Sequence, residues 1–253
     1  MRALIAAGAV IAGIALSAPA LASGDSAHAP ASNWSFNGLF GTFDRGALQR
    51  GFQVYSEMCS ACHSLRLMSY RNLSDIGFKD DQVKKIAAAV EVTDGPNDEG
   101  EMFQRPGRPS DRFKSPFANA NAARAANNGA FPPDLTLMVK ARVGGADYLH
   151  ALLTGYREAP KSFNLSEGMN YNAMFPGHQI AMPPPISADG VEYADGTKAT
   201  VDQMARDVTT FLAWAAEPEM EERKRLGVKV MLFLLVLTGM LYALKRKVWA
   251  DIH

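Results

Sequence analysis

Arg50-Gly51-Phe52-Gln53-Val54-Tyr55-Ser56-Glu57-Met58-Cys59-Ser60-Ala61-Cys62-His63-Ser64 is the stretch on which the reading of this chain turns. It closes on a CxxCH pentapeptide that uses both cysteines of the sequence, the attachment signature of a c-type haem. Three residues are close to one helical turn, so Cys59 and Cys62 face one porphyrin edge and form thioethers with its vinyl groups. His63 then stands beneath the iron. A thioredoxin-like redox pair needs no histidine, and a zinc site needs two further ligands at matching spacing. No second CxxC or HxxxH is present.

Upstream of the motif, Asp44 is placed to cap a helix whose Leu48, Phe52 and Tyr55 share one face. Far downstream, Thr200 and Gln203 form a capping-box pattern ahead of Val201, Met204, Val208, Leu212 and Ala215, a second amphipathic helix that ends before Pro218. The two are expected to pack beside the haem. Shorter helices are expected at Asp80–Val90, Asn121–Ala126, Asp134–Arg142 with Asp134 as cap, and Ala146–Leu153. The Gly-, Pro- and charge-rich stretch Thr93–Pro116 reads as a long surface loop. Asp189-Gly190 and Asp195-Gly196 bracket Val191–Tyr193 as a small hairpin or a pair of turns. The expected fold is mainly α, a cytochrome c-like haem domain with long loops and a small β hairpin, plus one C-terminal transmembrane helix.

Both ends are hydrophobic. Met1 and Arg2 precede an apolar run from Leu4 to Leu16 and an A-x-A site ending at Ala22, so residues 1–22 read as a cleaved signal peptide. Val230–Leu244 carries no charge and is followed by Lys245, Arg246 and Lys247. With snorkelling at Lys229 and interfacial Tyr242 and Trp249, residues 226–247 read as a membrane anchor and 248–253 as a cytoplasmic tail. Basic residues flank the span on both sides, so the signal peptide decides orientation. Residues 23–225 are expected on the periplasmic side of the inner membrane. A net charge of zero hides a split: residues 23–222 hold 18 Lys and Arg against 25 Asp and Glu, a balance of −7, while 223–253 carry +6. An acidic exported domain argues against nucleic acid and favours a basic protein partner.

The sixth position on the iron decides whether the haem passes electrons or binds small ligands. Among five histidines, His28, His150 and His253 lie in a polar segment, on an expected helix and at the terminus, which leaves His178 as a weak candidate. Most of the 12 methionines fit packing roles. Met182 differs, in a segment from Phe175 to Pro185 whose prolines limit the entropy lost in holding a thioether in place. The residues by themselves leave Met182 open against its rivals.

At this point the chain resembles the cytochrome c1 family, the haem subunit of the cytochrome bc1 complex, in its alphaproteobacterial form. The resemblance rests on Arg50–Ser64, Asp94–Gly107, Ala122–Leu135, Tyr171–Ile186, and Phe211–Glu219 followed by the basic-flanked anchor. It implies one haem c, bound covalently through Cys59 and Cys62 and ligated by His63 and Met182. It further implies a pocket lined by Asn127, Pro132, Pro133 and Tyr148, with Arg142 near a propionate, where a forked guanidinium suits a carboxylate. The read-alone alternative for Arg142 is a solvent-facing cation at a helix end. The family's role implies transfer of single electrons from a Rieske iron-sulfur subunit to a basic cytochrome c, beside cytochrome b in a dimeric respiratory or photosynthetic quinol–cytochrome c oxidoreductase. The chain would then be a redox subunit, not an enzyme by itself. The acidic run Glu91, Asp94, Asp98, Glu99 and Glu101 is the candidate docking surface, with an ordinary solvated loop as the alternative. Some relatives carry extra cysteines; with none to spare, no family disulfide carries over. The competing classes are a free-standing membrane-tethered shuttle and an open-iron haem enzyme or sensor.

Overall fold

Asp44 accepts a hydrogen bond from Ala47 N at 3.0 Å, and the expected helix α1 runs over Arg45–Val54. The computed structural model describes residues 28–252, so the expected leader at 1–22 and His253 lie outside the described residues. A π-helical turn, Tyr55–Cys59, carries α1 directly into the cysteine motif. In chain order the other helices are α2 Asp80–Ala88, α3 Ala120–Ala126, α4 Met138–Ala141, α5 Gly145–Thr154, α6 Val201–Ala216 and α7 Met220–Val248. The architecture is mainly helical, as expected, with two small antiparallel sheets.

Helices α1 and α6 make the most extensive helix pair, and α4 and α5 pack on α6 as well. Their close approach needs Gly51, because a Cβ there would stand 2.1 Å from Asp207 O. Phe52, Tyr55, Phe113 and Phe211 fill the seam, with ring centroids 5.8 to 6.2 Å apart and mostly edge-on, the arrangement aromatic quadrupoles favour. The same cluster buries Leu48, Phe211 and Trp214 almost completely. Thus the helix that ends in the cysteine motif is clamped by the most buried helix of the chain. Thr200 caps α6 by accepting from Gln203 N at 3.1 Å. The reciprocal half of the box is absent: Thr200 N donates to Lys198 O at 2.9 Å, while the Gln203 amide nitrogen donates to Asp207 Oδ2 at 3.0 Å.

Two expectations are corrected. The helix expected over Asp134–Arg142 is a single turn at Met138–Ala141: Asp134 accepts from Thr136 N, but it also holds Ser64 Oγ and Arg66 N, and Leu135 N donates to Ser64 O, so residues 135–137 form a turn ahead of the helix. The stretch read as a long loop holds a hairpin, β1 Glu91–Asp94 paired with β2 Phe103–Pro106, in register from Glu91 opposite Pro106 to Asp94 opposite Phe103. Residues 189–196 form turns. The second sheet is minimal, β3 Asn170–Tyr171 against β4 Gln179–Ile180.

Helix α7 is the one helix among the described residues long and apolar enough to cross a membrane, with a mean hydropathy of 2.1 over its best window and none of that window buried. Its 29 residues extend roughly 43 Å at 1.5 Å per residue. The expected boundary between residues 225 and 226 falls inside this helix, whose first turns are polar. Glu221 accepts from Phe43 N at 2.8 Å and from Arg45 Nη2 at 2.9 Å, and Lys224 Nζ donates to Phe36 O at 2.7 Å and Gly41 O at 3.0 Å. These bonds tie the helix to the segment ahead of α1.

Candidate functional site

The cysteine motif is one closed turn. Cys62 N and His63 N both donate to Cys59 O, at 3.1 and 2.9 Å, which puts Cys59 and Cys62 on adjoining positions of the same turn. Burial pushes the Cys59 thiol up to about 12, with Cys62 adding to the effect.

His63 is oriented from two sides. Its Nδ1 lies 2.8 Å from Pro133 O, and since a carbonyl only accepts, Nδ1 carries the proton and Nε2 keeps its lone pair. Burial lowers the imidazole pKa, against a smaller opposing effect of the Pro133 bond and Asp134, so the ring stays neutral and able to ligate. This is the outer bond by which a metal-binding histidine has its tautomer fixed. On the backbone, Tyr55 Oη donates to His63 O at 3.0 Å.

The partner of that bond is itself held. Leu135 N donates to Ser64 O at 2.9 Å, and Asp134 gathers Ser64 Oγ at 2.8 Å, Arg66 N at 2.9 Å and Thr136 N at 3.0 Å. Burial alone would raise Asp134, but these donors outweigh it and hold the carboxyl below its ordinary range. Ahead of the prolines, Asn127 ends α3 with its amide donating to Ala123 O at 2.7 Å, and Arg124 donates to Gly129 O at 3.0 Å while lying over the Phe131 ring. Asn127, Pro132 and Pro133 therefore belong to one braced segment that meets the motif at His63.

Met182 belongs to a second group. Tyr156 Oη donates to Met182 O at 3.1 Å. Burial raises the Tyr156 phenol above its usual range, with Tyr148 contributing, and burial raises Tyr148 too, opposed by the Arg142 charge. Arg142, Tyr148, Tyr156 and Met182 are thus electrostatic or hydrogen-bonded neighbours in series. Fully buried Asn172 fixes the loop before Met182: its amide donates to Leu152 O at 2.8 Å and its carbonyl accepts from Met174 N at 2.9 Å and Phe175 N at 3.2 Å. Arg142 is exposed, and among the described residues its guanidinium bonds only Ala141 O, at 3.2 Å, so it keeps donors for an anionic partner. His178 stacks on Tyr171 at 5.9 Å, with Nδ1 buried and without a hydrogen-bond partner among the described residues.

No hydrogen bond joins the His63 group to the Met182 group among the described residues. A cavity of about 400 Å³ lies between Tyr55, Tyr70, Ile86, Phe113 and Lys114, and none of Cys59, Cys62, His63 or Met182 lines it. Tyr156 and Asn172 were not singled out from the sequence, although a buried Asn ahead of a Pro-rich segment is a turn-forming signal. The donor set fits a covalently held haem: two thiols on one turn, a neutral imidazole with Nε2 available, and a thioether on a separately braced segment.

The comparisons agree with this chemistry. A model described as the cytochrome C1 family matches residues 34–252. A cytochrome c1 of Rhodospirillum rubrum is 50% identical, the alignment covering 99% of this chain and 97% of that protein. A mitochondrial cytochrome c1 haem protein of Arabidopsis thaliana is 50% identical over 94% of this chain and 78% of its own length. A protein of Bradyrhizobium diazoefficiens named cytochrome b/c1 is 49% identical over 99% of this chain, which spans 39% of that longer relative.

Proposed function

Since the chain belongs to the cytochrome c1 family, the haem-bearing electron-transfer subunit of the bc1 complex, we propose that it passes single electrons from a Rieske iron-sulfur subunit to a basic cytochrome c through a haem c held by Cys59, Cys62, His63 and Met182. The haem iron supplies the one-electron chemistry by alternating between ferric and ferrous states. The observation that carries this reading is the His63 Nδ1 bond to Pro133 O, 2.8 Å long, on the same turn as both thiols. It presets the tautomer and aim of the imidazole, so ligation costs little reorganisation. Met182 supplies a soft sulfur that favours the reduced iron, on a loop whose backbone Tyr156 and Asn172 already fix. Arg142 holds a propionate, and Asn127, Pro132, Pro133 and Tyr148 wall the ring from water.

Helix α7 serves as a single-pass anchor, with the haem domain on the periplasmic side of the inner membrane. The Bradyrhizobium diazoefficiens relative, whose name joins b and c1 in one chain, supports cytochrome b as a neighbour here. Gentle detergent extraction tests the assignment. A b-type cytochrome and an iron-sulfur protein are expected to co-purify with this chain in a dimeric complex; recovery of the chain alone would instead favour a tethered shuttle.

The docking surface for the acceptor is the β1–β2 hairpin. Asp94 is bonded to Arg105, which holds its carboxyl below the ordinary range, so Asp94 is partly neutralised. Glu91, Asp98, Glu99 and Glu101 remain exposed. Reversing Asp98, Glu99 and Glu101 to Lys is expected to slow reduction of a basic cytochrome c by roughly tenfold at low salt. The deficit should shrink near 0.1 M, where the screening length is about 10 Å. Rates indifferent to both reversal and ionic strength would remove the hairpin from this role.

A further inference from the structure

Leu39 and Phe40 are the most conspicuous exposed apolar pair outside α7 that belongs to a rigidly built loop, at 60% and 80% exposure. The loop is closed at its base by Asn37 N donating to Trp34 O and Thr42 N to Ser35 O, both at 3.0 Å. Below it Trp34 and Phe43 are buried, and Phe36 stacks between them at centroid distances of 5.5 and 5.1 Å. Gly38 takes the left-handed conformation at φ +73°, and a Cβ at Gly41 would stand 2.0 Å from Asn37 O. The tip is therefore shaped by its backbone and held out by a buried aromatic foot.

Two ties fix the loop beside the first turns of α7. Phe43 and Arg45 bond Glu221, whereas Gly41 and Phe36 bond Lys224. Three residues further along a helix is about 4.5 Å further along its axis. Lys224 lies nearer the apolar stretch of α7 than Glu221 does, and residues 37–40 form the loop between its two acceptors, Phe36 O and Gly41 O. Beyond Lys224 the exposed apolar face of α7 starts at Leu226. Arg225 and Lys229 in the same turns suit anionic lipid headgroups, and Lys229 has the stem to reach them.

We propose that the Leu39–Phe40 tip is a second membrane contact, seated in the headgroup region of the bilayer beside the start of α7. The inference rests on the reading of α7 as the membrane anchor. One transmembrane helix leaves a domain free to tilt; a second contact at a fixed offset from the helix removes that freedom and sets the angle of the haem domain over the membrane.

A nitroxide spin label on Phe40→Cys tests this in the full chain in its native membranes, with Val236→Cys in mid-α7 and Lys84→Cys on exposed α2 as references. The unsubstituted chain, treated in parallel, gives the background from Cys59 and Cys62. The expected result is a Phe40 label with oxygen accessibility well above that at Lys84, nickel-complex accessibility well below it, and a depth shallower than Val236. A label at Phe40 as open to the nickel complex as Lys84, with Val236 protected, overturns the inference and leaves the anchor intact. An immobile Phe40 label shielded from both reagents means that another protein covers the tip, and also overturns it. If Val236 itself is open to the nickel complex, the anchor reading falls and takes the inference with it.

Discussion

Replacing Met182 with Lys or His is expected to lower the midpoint potential of the haem by on the order of a few hundred millivolts. The thioether stabilises ferrous over ferric iron because it is soft and uncharged, whereas an amine or imidazole donates more strongly to the ferric state. The size of the effect depends on the new atom arriving where the sulfur was. That condition is met by the backbone: Tyr156 Oη holds Met182 O at 3.1 Å, and Asn172 fixes the preceding loop through Leu152 O. The substitution therefore changes the ligand and leaves its support in place. Met204, fully buried on α6, is the control; Met204→Leu should leave the potential where it was. A redox titration of the Met182 variants that matches the parent would take Met182 off the iron.

The second large effect is on stability. Arg50 forks onto Asp207 through Nε at 2.9 Å and Nη2 at 3.1 Å, and reaches Asp195 through Nη1 at 2.7 Å. Asp207 is wholly buried, while the Arg50 side chain retains 19% exposure. The bond to Asp207 is the main reason the guanidinium is held even more firmly protonated than usual, with Asp195 contributing. Asp207→Ala leaves this cation without its buried partner at the α1–α6 seam, beside Gly51 and about two and a half turns before the cysteine motif. Removing one member of a buried pair costs about 3–5 kcal/mol. Residual exposure and the surviving Asp195 bond place the expected loss near the lower end, about 3 kcal/mol, or roughly 6–12 °C in melting temperature for a domain of this size. Thermal unfolding of the haem-loaded protein followed by circular dichroism measures it. An unchanged melting temperature would show that the pair is not a clamp.

The same network gives a pH signature. Thr197 N first, and Arg50 next, hold Asp195 at about 2, below its ordinary 3.8. A depressed carboxylate binds fewer protons folded than unfolded, so its stabilisation is present above the ordinary value and disappears as pH falls through about 2. Asp195→Asn should flatten the acid limb of the stability profile over that window, with a much smaller change at neutral pH than Asp207→Ala.

Local signals in the sequence carried the elements that face water on one side and the core on the other. Asp44 and Thr200 capped the helices they were expected to cap, since the donor lies three residues from the acceptor and no distant partner competes. Where distant partners did compete, the local reading failed. Asp134 keeps one cap-like bond, from Thr136 N, but Ser64 Oγ and Arg66 N, some 70 residues earlier, share its carboxylate and Ser64 O takes Leu135 N, so the helix starts only at Met138. Gln203 resembled the second half of a capping box, but Lys198 O takes Thr200 N, and the Gln203 amide nitrogen donates to buried Asp207. The β1–β2 hairpin escaped notice because it lies on the surface; its residues never become fully buried, and no alternation of apolar and polar residues marked it.

The family was legible in the sequence alone, because long strings match it in order, and the proposed haem attachment rests on a motif of five consecutive residues. The anchor was legible for a similar reason, as an uncharged run is a property of the chain before it folds. Only the tertiary structure decided how the site is braced. The tautomer of His63 depends on Pro133, 70 residues away. The place of Met182 depends on Tyr156 and Asn172, and the seating of the motif helix depends on Arg50 meeting Asp207 across 157 residues. Such contacts have no local signature, since each residue is unremarkable until burial removes water as its alternative partner. The opening motif thus pointed to a c-type haem, and the packing of α1 on α6 fixes the helix that leads into that motif.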